Sequence, residues 1–280
     1  MRRHHSSLSR GLLAGVALSA VLGAPAAHAQ TATEADIVEV LTWIEAGSAQ
    51  ELLAKRRAAI SAVPSGFGLS GGNLSLSLSG TYGPERSPND DDNDRFDAST
   101  AVAFGFGDPV SAVGVELGLV LSSFRDFGAS GFLTVGVNRQ FAFEGGVTSI
   151  NVSASNLAAW GDAENNDVSY SVVGSVAYAL GNTPMVTTLG YGTSYGTGFG
   201  FSEDDCYVEC EGIVFGIGAG ISETWAISAG VVGDHSILGA TYFPATVEGL
   251  SANIWVRDAD DSDSATFGVD LGFITNVFGG

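Results

Sequence analysis

From Asn73 to Ser79 every second residue is leucine, and every residue between is small or polar. A period of two places Leu74, Leu76 and Leu78 on one face of a β-strand and Asn73, Ser75, Ser77 and Ser79 on the other. The same alternation recurs to the C-terminus, in runs of about 67–82, 96–106, 110–123, 130–141, 146–158, 167–180, 185–199, 211–221, 224–233, 237–243, 249–257 and 265–278. A chain so patterned is committed to an all-β fold in which each strand has two unlike sides.

The unlike sides sort by bulk. One carries Val102, Phe104 and Phe106; Val113, Val115, Leu117, Leu119 and Leu121; Leu133, Val135 and Val137; Trp225, Ile227 and Val231; and Phe267, Val269, Leu271 and Phe273, without a charge among them. The opposite side carries Ser99, Ala101 and Ala103; Gly114, Glu116 and Gly118; Asn151, Ser153 and Ser155; Gly216, Gly218 and Gly220; Asn253, Trp255 and Arg257; and Gly268, Asp270 and Gly272. In a water-soluble sandwich or barrel the enclosed face is the bulky one. Here the bulky face reads as outside, and the small polar face as the lining of an enclosed space.

The connections alternate as well. After odd-numbered runs come acidic loops, such as Pro84 to Asp97, Glu203 to Glu211 and Asp258 to Asp263. After even-numbered runs come tight turns, such as Gly107-Asp108-Pro109 and Gly181-Asn182-Thr183-Pro184. On these features Phe67 to Phe278 resembles the bacterial outer-membrane β-barrel proteins, the porin-like class. That resemblance implies a transmembrane antiparallel up-and-down barrel of about twelve strands, with short turns toward the periplasm and longer loops outside. It also implies outer-membrane lipid, lipopolysaccharide, the barrel-assembly machinery and small polar solutes as partners. Barrels of this class usually end on an aromatic residue, whereas this chain ends Val277-Phe278-Gly279-Gly280, with Phe278 out of phase with the last apolar face.

Residues 1–29 have the layout of a secretory signal peptide: Arg2, Arg3 and Arg10, an apolar core from Leu12 to Leu22, and the small-residue site Ala27-His28-Ala29. That core is too short to span a bilayer. Cleavage there leaves eight basic residues against thirty-one acidic ones, a net charge of −23 in place of −20. Such a balance excludes nucleic acid and favours cations.

Residues 30–65 precede the barrel region, 66–280, and are expected to be helical. Thr33 to Asp36 and the capping box Ser48-Ala49-Gln50-Glu51 suggest two short helices, Glu34 to Ala46 and Ala49 to Ala62, stopped by Pro64. The pair either enters the barrel as a plug, bringing Lys55, Arg56 and Arg57 to inward acids, or docks below it in the periplasm.

Several clusters invite a chemical reading. Cys206 and Cys210, spaced as Cys-Tyr-Val-Glu-Cys, are expected to close a small disulfide ring in an exported chain. Asp90, Asp92 and Asp94 alternate as in calcium loops but lack the glycine and the distal glutamate, so only loosely held divalent cations are expected, and no cofactor. His235 is the one histidine left after cleavage. A nucleophile and an orienting carboxylate for it would have to come from elsewhere, so it reads as a loop histidine and no enzyme is expected. Glu116 and Asp270, with Arg257, Asn138, Asn151 and Asn253, are the candidate lumen or constriction residues, since a charge facing lipid costs a few kcal/mol. Arg257 could pair with Asp270. The functional expectation is a passive channel for small polar solutes with a preference for cations. The alternative is a non-conducting structural or surface-interaction barrel whose lumen the helices block.

Overall fold

A computed structural model of the protein describes residues 58–83, 96–122, 128–143, 146–165, 167–180, 183–193, 212–233, 235–259 and 265–277. The leader, the helical pair before Ala58, the Cys206 and Cys210 ring and the Asp90 to Asp94 run lie outside the described residues.

Twelve strands follow one another: β1 (Asn73–Tyr82), β2 (Phe96–Gly107), β3 (Gly114–Leu121), β4 (Gly131–Phe143), β5 (Gly146–Trp160), β6 (Ser169–Leu180), β7 (Thr183–Gly192), β8 (Gly212–Gly220), β9 (Trp225–Val232), β10 (His235–Tyr242), β11 (Leu250–Arg257) and β12 (Thr266–Asn276). Each pairs antiparallel with its neighbours in sequence, and β12 closes on β1 from Asn73↔Asn276 to Tyr82↔Phe267. Closure removes both sheet edges, so every strand's backbone groups are taken up by a neighbour. The even strand count puts β1's start and β12's end at the rim of the short connections. Val277 N donates to Gly72 O at 3.0 Å there.

The faces sort by bulk as the alternation requires. Leu76, Leu78, Val102, Phe106, Leu117, Leu119, Val152, Ile227 and Val269 are exposed on the outer wall. Ser75, Ser77, Ser79, Ser99, Ala101, Ala103, Ser153 and Ser155 line the interior. At the short-connection rim Trp225 and Tyr242 sit side by side, ring centroids 5.0 Å apart, in the manner of an interfacial aromatic girdle.

Two expectations need correction. β1 begins at Asn73 rather than near Phe67, and residues 58–62 are irregular rather than the end of a helix. Both errors have one cause: residues 58–72 run across the inside of the barrel as an extended strap. Ala58, Val63, Phe67 and Leu69 are buried there. Ala58 and Phe67 pack with Val147, Ala177 and Val186, and Val63 packs with Val214, Val232, Ile237 and Trp255. Burying each such side chain is worth about 1.5–3 kcal/mol for valine, leucine or phenylalanine.

At Gly71 and Gly72 the strap bonds to the backbone of β2, donating to Gly107 O (2.8 Å) and Gly105 O (2.9 Å); before that, side chains of the wall meet its backbone. Ser61 N donates to Ser228 Oγ (3.1 Å), Gly66 N to Ser175 Oγ (2.7 Å) and Leu69 N to Glu116 Oε2 (2.8 Å). In return Ser149 Oγ donates to Gly66 O (2.7 Å), Asn138 Nδ2 to Leu69 O (3.2 Å) and Thr188 Oγ1 to Pro64 O (3.3 Å). Glycine makes the approach close enough: a Cβ on Gly66 would stand 2.7 to 2.8 Å from backbone atoms of β5 and β6, and one on Gly218 would stand 1.9 Å from Ala59 O.

Candidate functional site

Most of the strap's contacts fall on β2 to β10, while Val63 reaches Trp255 of β11 and Gly71 O accepts from Asn276 Nδ2 of β12 (3.2 Å). A cavity of about 560 Å³ remains between strap and wall, within the range of ligand-sized spaces. Ala62, Val63, Pro64, Ser65 and Phe67 of the strap form one side of it. The rest is hydroxyl-rich wall: Ser75, Ser77 and Ser79 from β1, Ser99 from β2, Ser153 and Ser155 from β5, and Ser169 and Ser171 from β6. Alternation produces this directly, because the inward positions of these strands that reach the cavity are mostly serine and alanine.

Four of the six candidate lumen residues line this space, namely Glu116, Asn151, Asn253 and Asp270. Asp270 is held by two neighbouring strands: Ser79 Oγ donates to Oδ1 (2.5 Å) and Trp255 Nε1 to Oδ2 (2.9 Å). The Trp255 indole lies flat over Gly268, where a Cβ would stand 2.0 Å from the ring. Asn253 Oδ1 accepts from Thr241 Oγ1 at 2.7 Å. Asn151 Oδ1 has no hydrogen-bond partner in the structure. Glu116 and Asp270 are the only charged residue types among the described residues that line the cavity.

The other two stand elsewhere. Asn138 is spent on clamping the strap, opposite Glu116, so that Leu69 is gripped through its N–H and its carbonyl together. Arg257 does not meet Asp270: its Nη2 donates to Thr266 Oγ1 (3.2 Å) and its Nε lies 3.7 Å from Asp258 Oδ2. Inward parity was right for both, but parity does not say which inward groups share a height.

His235 opens β10 instead of lying in a loop, and its Nδ1 lies 2.6 Å from Asp258 Oδ2. Asp258 Oδ1 also accepts from Ser236 N at 2.9 Å. An orienting carboxylate does therefore come from the next long connection, a pairing that strand neighbours in sequence could not reveal.

A closed antiparallel barrel, greasy outside and hydroxylated within, defines a membrane-spanning β-barrel of the outer-membrane type. No family model matches the chain, and no curated protein is similar to it in sequence. Solved structures to which it is similar include the KdgM porin, at 9% identity over 71% of this chain and 98% of that one, with a TM-score of 0.44. The outer membrane protein Omp33 of Acinetobacter baumannii gives 10% identity over 72% of this chain and 97% of that one, with a TM-score of 0.40. The outer membrane phospholipase OMPLA of Salmonella typhi, a dimer with bound calcium, gives 10% over 80% and 96%, with a TM-score of 0.39.

Proposed function

We propose that this barrel is a passive outer-membrane channel for small polar solutes, favouring cations, with its path narrowed by the strap to the cavity lined by β11, β12 and β1 to β6. The carrying observation is the cavity lining, whose hydroxyls can replace water around a solute and whose only ionisable side chains among the described residues, besides Tyr170, are the carboxyls of Glu116 and Asp270. A water-filled space bearing one sign of charge between low-dielectric walls concentrates the opposite ion. A cavity of about 560 Å³ has room for a small solute. Residues 1–29 deliver the chain to the periplasm and are removed, the ring between Cys206 and Cys210 shapes a loop on the outer side, and the acidic loops add to the cation-attracting rim. No catalysis is assigned: the His235 and Asp258 pair serves as a tie between β10 and β11 at the long-loop rim.

Planar-bilayer recording in a salt gradient tests this. The folded protein is expected to give a reversal potential of cation-selective sign, and Glu116→Gln with Asp270→Asn is expected to move it toward zero while keeping the hydrogen-bond acceptors. Absence of any conductance from heat-modifiable, folded protein would remove the channel reading.

The strap itself favours a second reading, a barrel closed at rest. Deleting residues 33–70 separates the two. Conductance that appears only on deletion means a plugged barrel, and conductance already present in the full chain means a partial obstruction.

A further inference from the structure

Five formally charged residues lie in the twelve strands: Asp97, Glu116, Arg139, Arg257 and Asp270. Glu116 and Asp270 line the cavity and Arg257 is buried among inward groups. Arg139 faces out. Its neighbours Asn138 and Gln140 are each 1% exposed and turned inward, whereas Leu133 and Val137, of its own parity, are exposed on the outer wall.

A guanidinium on the lipid side costs about 2–4 kcal/mol at mid-bilayer and close to nothing at the interface. Arg139 takes the second course. Its Cζ lies 5.7 Å from the ring centroid of Phe141, two residues nearer the short-connection rim, so the side chain leans toward the periplasmic headgroups with its stem along apolar surface. At that rim Gln140 N donates to Pro109 O (2.8 Å), bringing the Asp108 turn alongside. Asp108 feels the Arg139 charge, but its carboxylate is already taken: Ser111 Oγ (2.5 Å), Val110 N (2.8 Å) and Ser111 N (3.3 Å) all donate to it. Among the described residues no hydrogen bond or salt bridge engages the guanidinium, whose fork of donors matches the oxygens of an anion.

We propose that Arg139, backed by Phe141, is a docking point for the phosphodiester of a phospholipid headgroup in the periplasmic leaflet. A planar guanidinium matches phosphate oxygens bidentately, and the apolar wall above it, through Val137, Val135 and Leu133, lies where the acyl chains of such a lipid would run. The acidity of the chain, a net charge of −20, sets this cationic group apart from the carboxylates around it.

Native mass spectrometry of the detergent-solubilised barrel, titrated with phosphatidylethanolamine, phosphatidylglycerol, diacylglycerol or inorganic phosphate, tests the site. Both phospholipids are expected to be retained, diacylglycerol is not, and inorganic phosphate at the lipid's concentration is not expected to displace them. Arg139→Gln is expected to weaken retention about tenfold, the loss of one charged contact of roughly 1.4 kcal/mol, with Arg139→Lys in between. Equal retention by Arg139→Gln and wild type, or equal binding of diacylglycerol, would overturn the proposal. Displacement by equimolar inorganic phosphate would show a phosphate site rather than a lipid site and would overturn it too. Heat-modifiable gel mobility of each variant excludes misfolding as the cause.

Discussion

Single residues decide how the interior is divided. Gly268 lets the Trp255 indole lie against the wall and reach Asp270, so Gly268→Ala must drive the ring toward the cavity. A drop in single-channel conductance, or a red shift in tryptophan emission as the indole meets water, would register that displacement. Outside the membrane, Asp108 shows how a carboxylate is tuned by hydroxyls: Ser111 Oγ donates to it, and with Val110 N–H and Ser111 N–H this holds its carboxyl below the usual carboxylate range. A depressed pKa means that the turn is favoured above the unfolded carboxyl's value, about 3.9, and that this contribution fades as pH falls through the folded value. Ser111→Ala is expected to raise the Asp108 midpoint in an NMR titration. Arg139 was within reach of the alternation, because its parity continues that of Leu133, Val135 and Val137, yet an apolar face read as a set ends where the apolar residues end.

At the scale of elements, the strands were legible and the strap was not. A strand with hydrocarbon on one side and water on the other separates its residues fully, so period two and the turn chemistry of Gly107-Asp108-Pro109 or Gly181-Asn182 locate twelve strands, most within a few residues, with the start of β1 and the end of β7 the exceptions. Phe67 and Leu69 alternate with Gly68 and Ser70 in the same way, which made them look like the start of β1. Alternation tells which residues share a side and is silent on what that side meets. What distinguishes the strap is the answering chemistry on distant strands, Glu116, Asn138, Ser149 and Ser175, whose hydrogen bonds replace a ladder. Of the candidate site, the acids and amides were legible from parity, while the pairing of Trp255 with Asp270 and of His235 with Asp258 depends on register between strands. The strap's hold can be measured. Phe67→Ala removes a fully buried ring and is expected to cost about 3–5 kcal/mol if the surroundings do not collapse. Lower melting temperature in detergent, with faster proteolysis near residue 67, is the expected result. Gly218→Val attacks the same seat from the wall and should free the Ala59 end while leaving β8's pairing intact.

For the whole molecule, the decisive arrangement is that the first and last strands meet, Asn73 against Asn276, while the segment immediately before the first already lies within the ring. Topology then imposes an order on biogenesis. The strap cannot be drawn sideways through twelve hydrogen-bonded strands once they are joined, so it must be laid down before β12 docks or be fed in later through an open mouth. If it goes in first, the wall condenses around its own N-terminal neighbour, and shortening that neighbour should slow membrane insertion even where the finished barrel is no less stable.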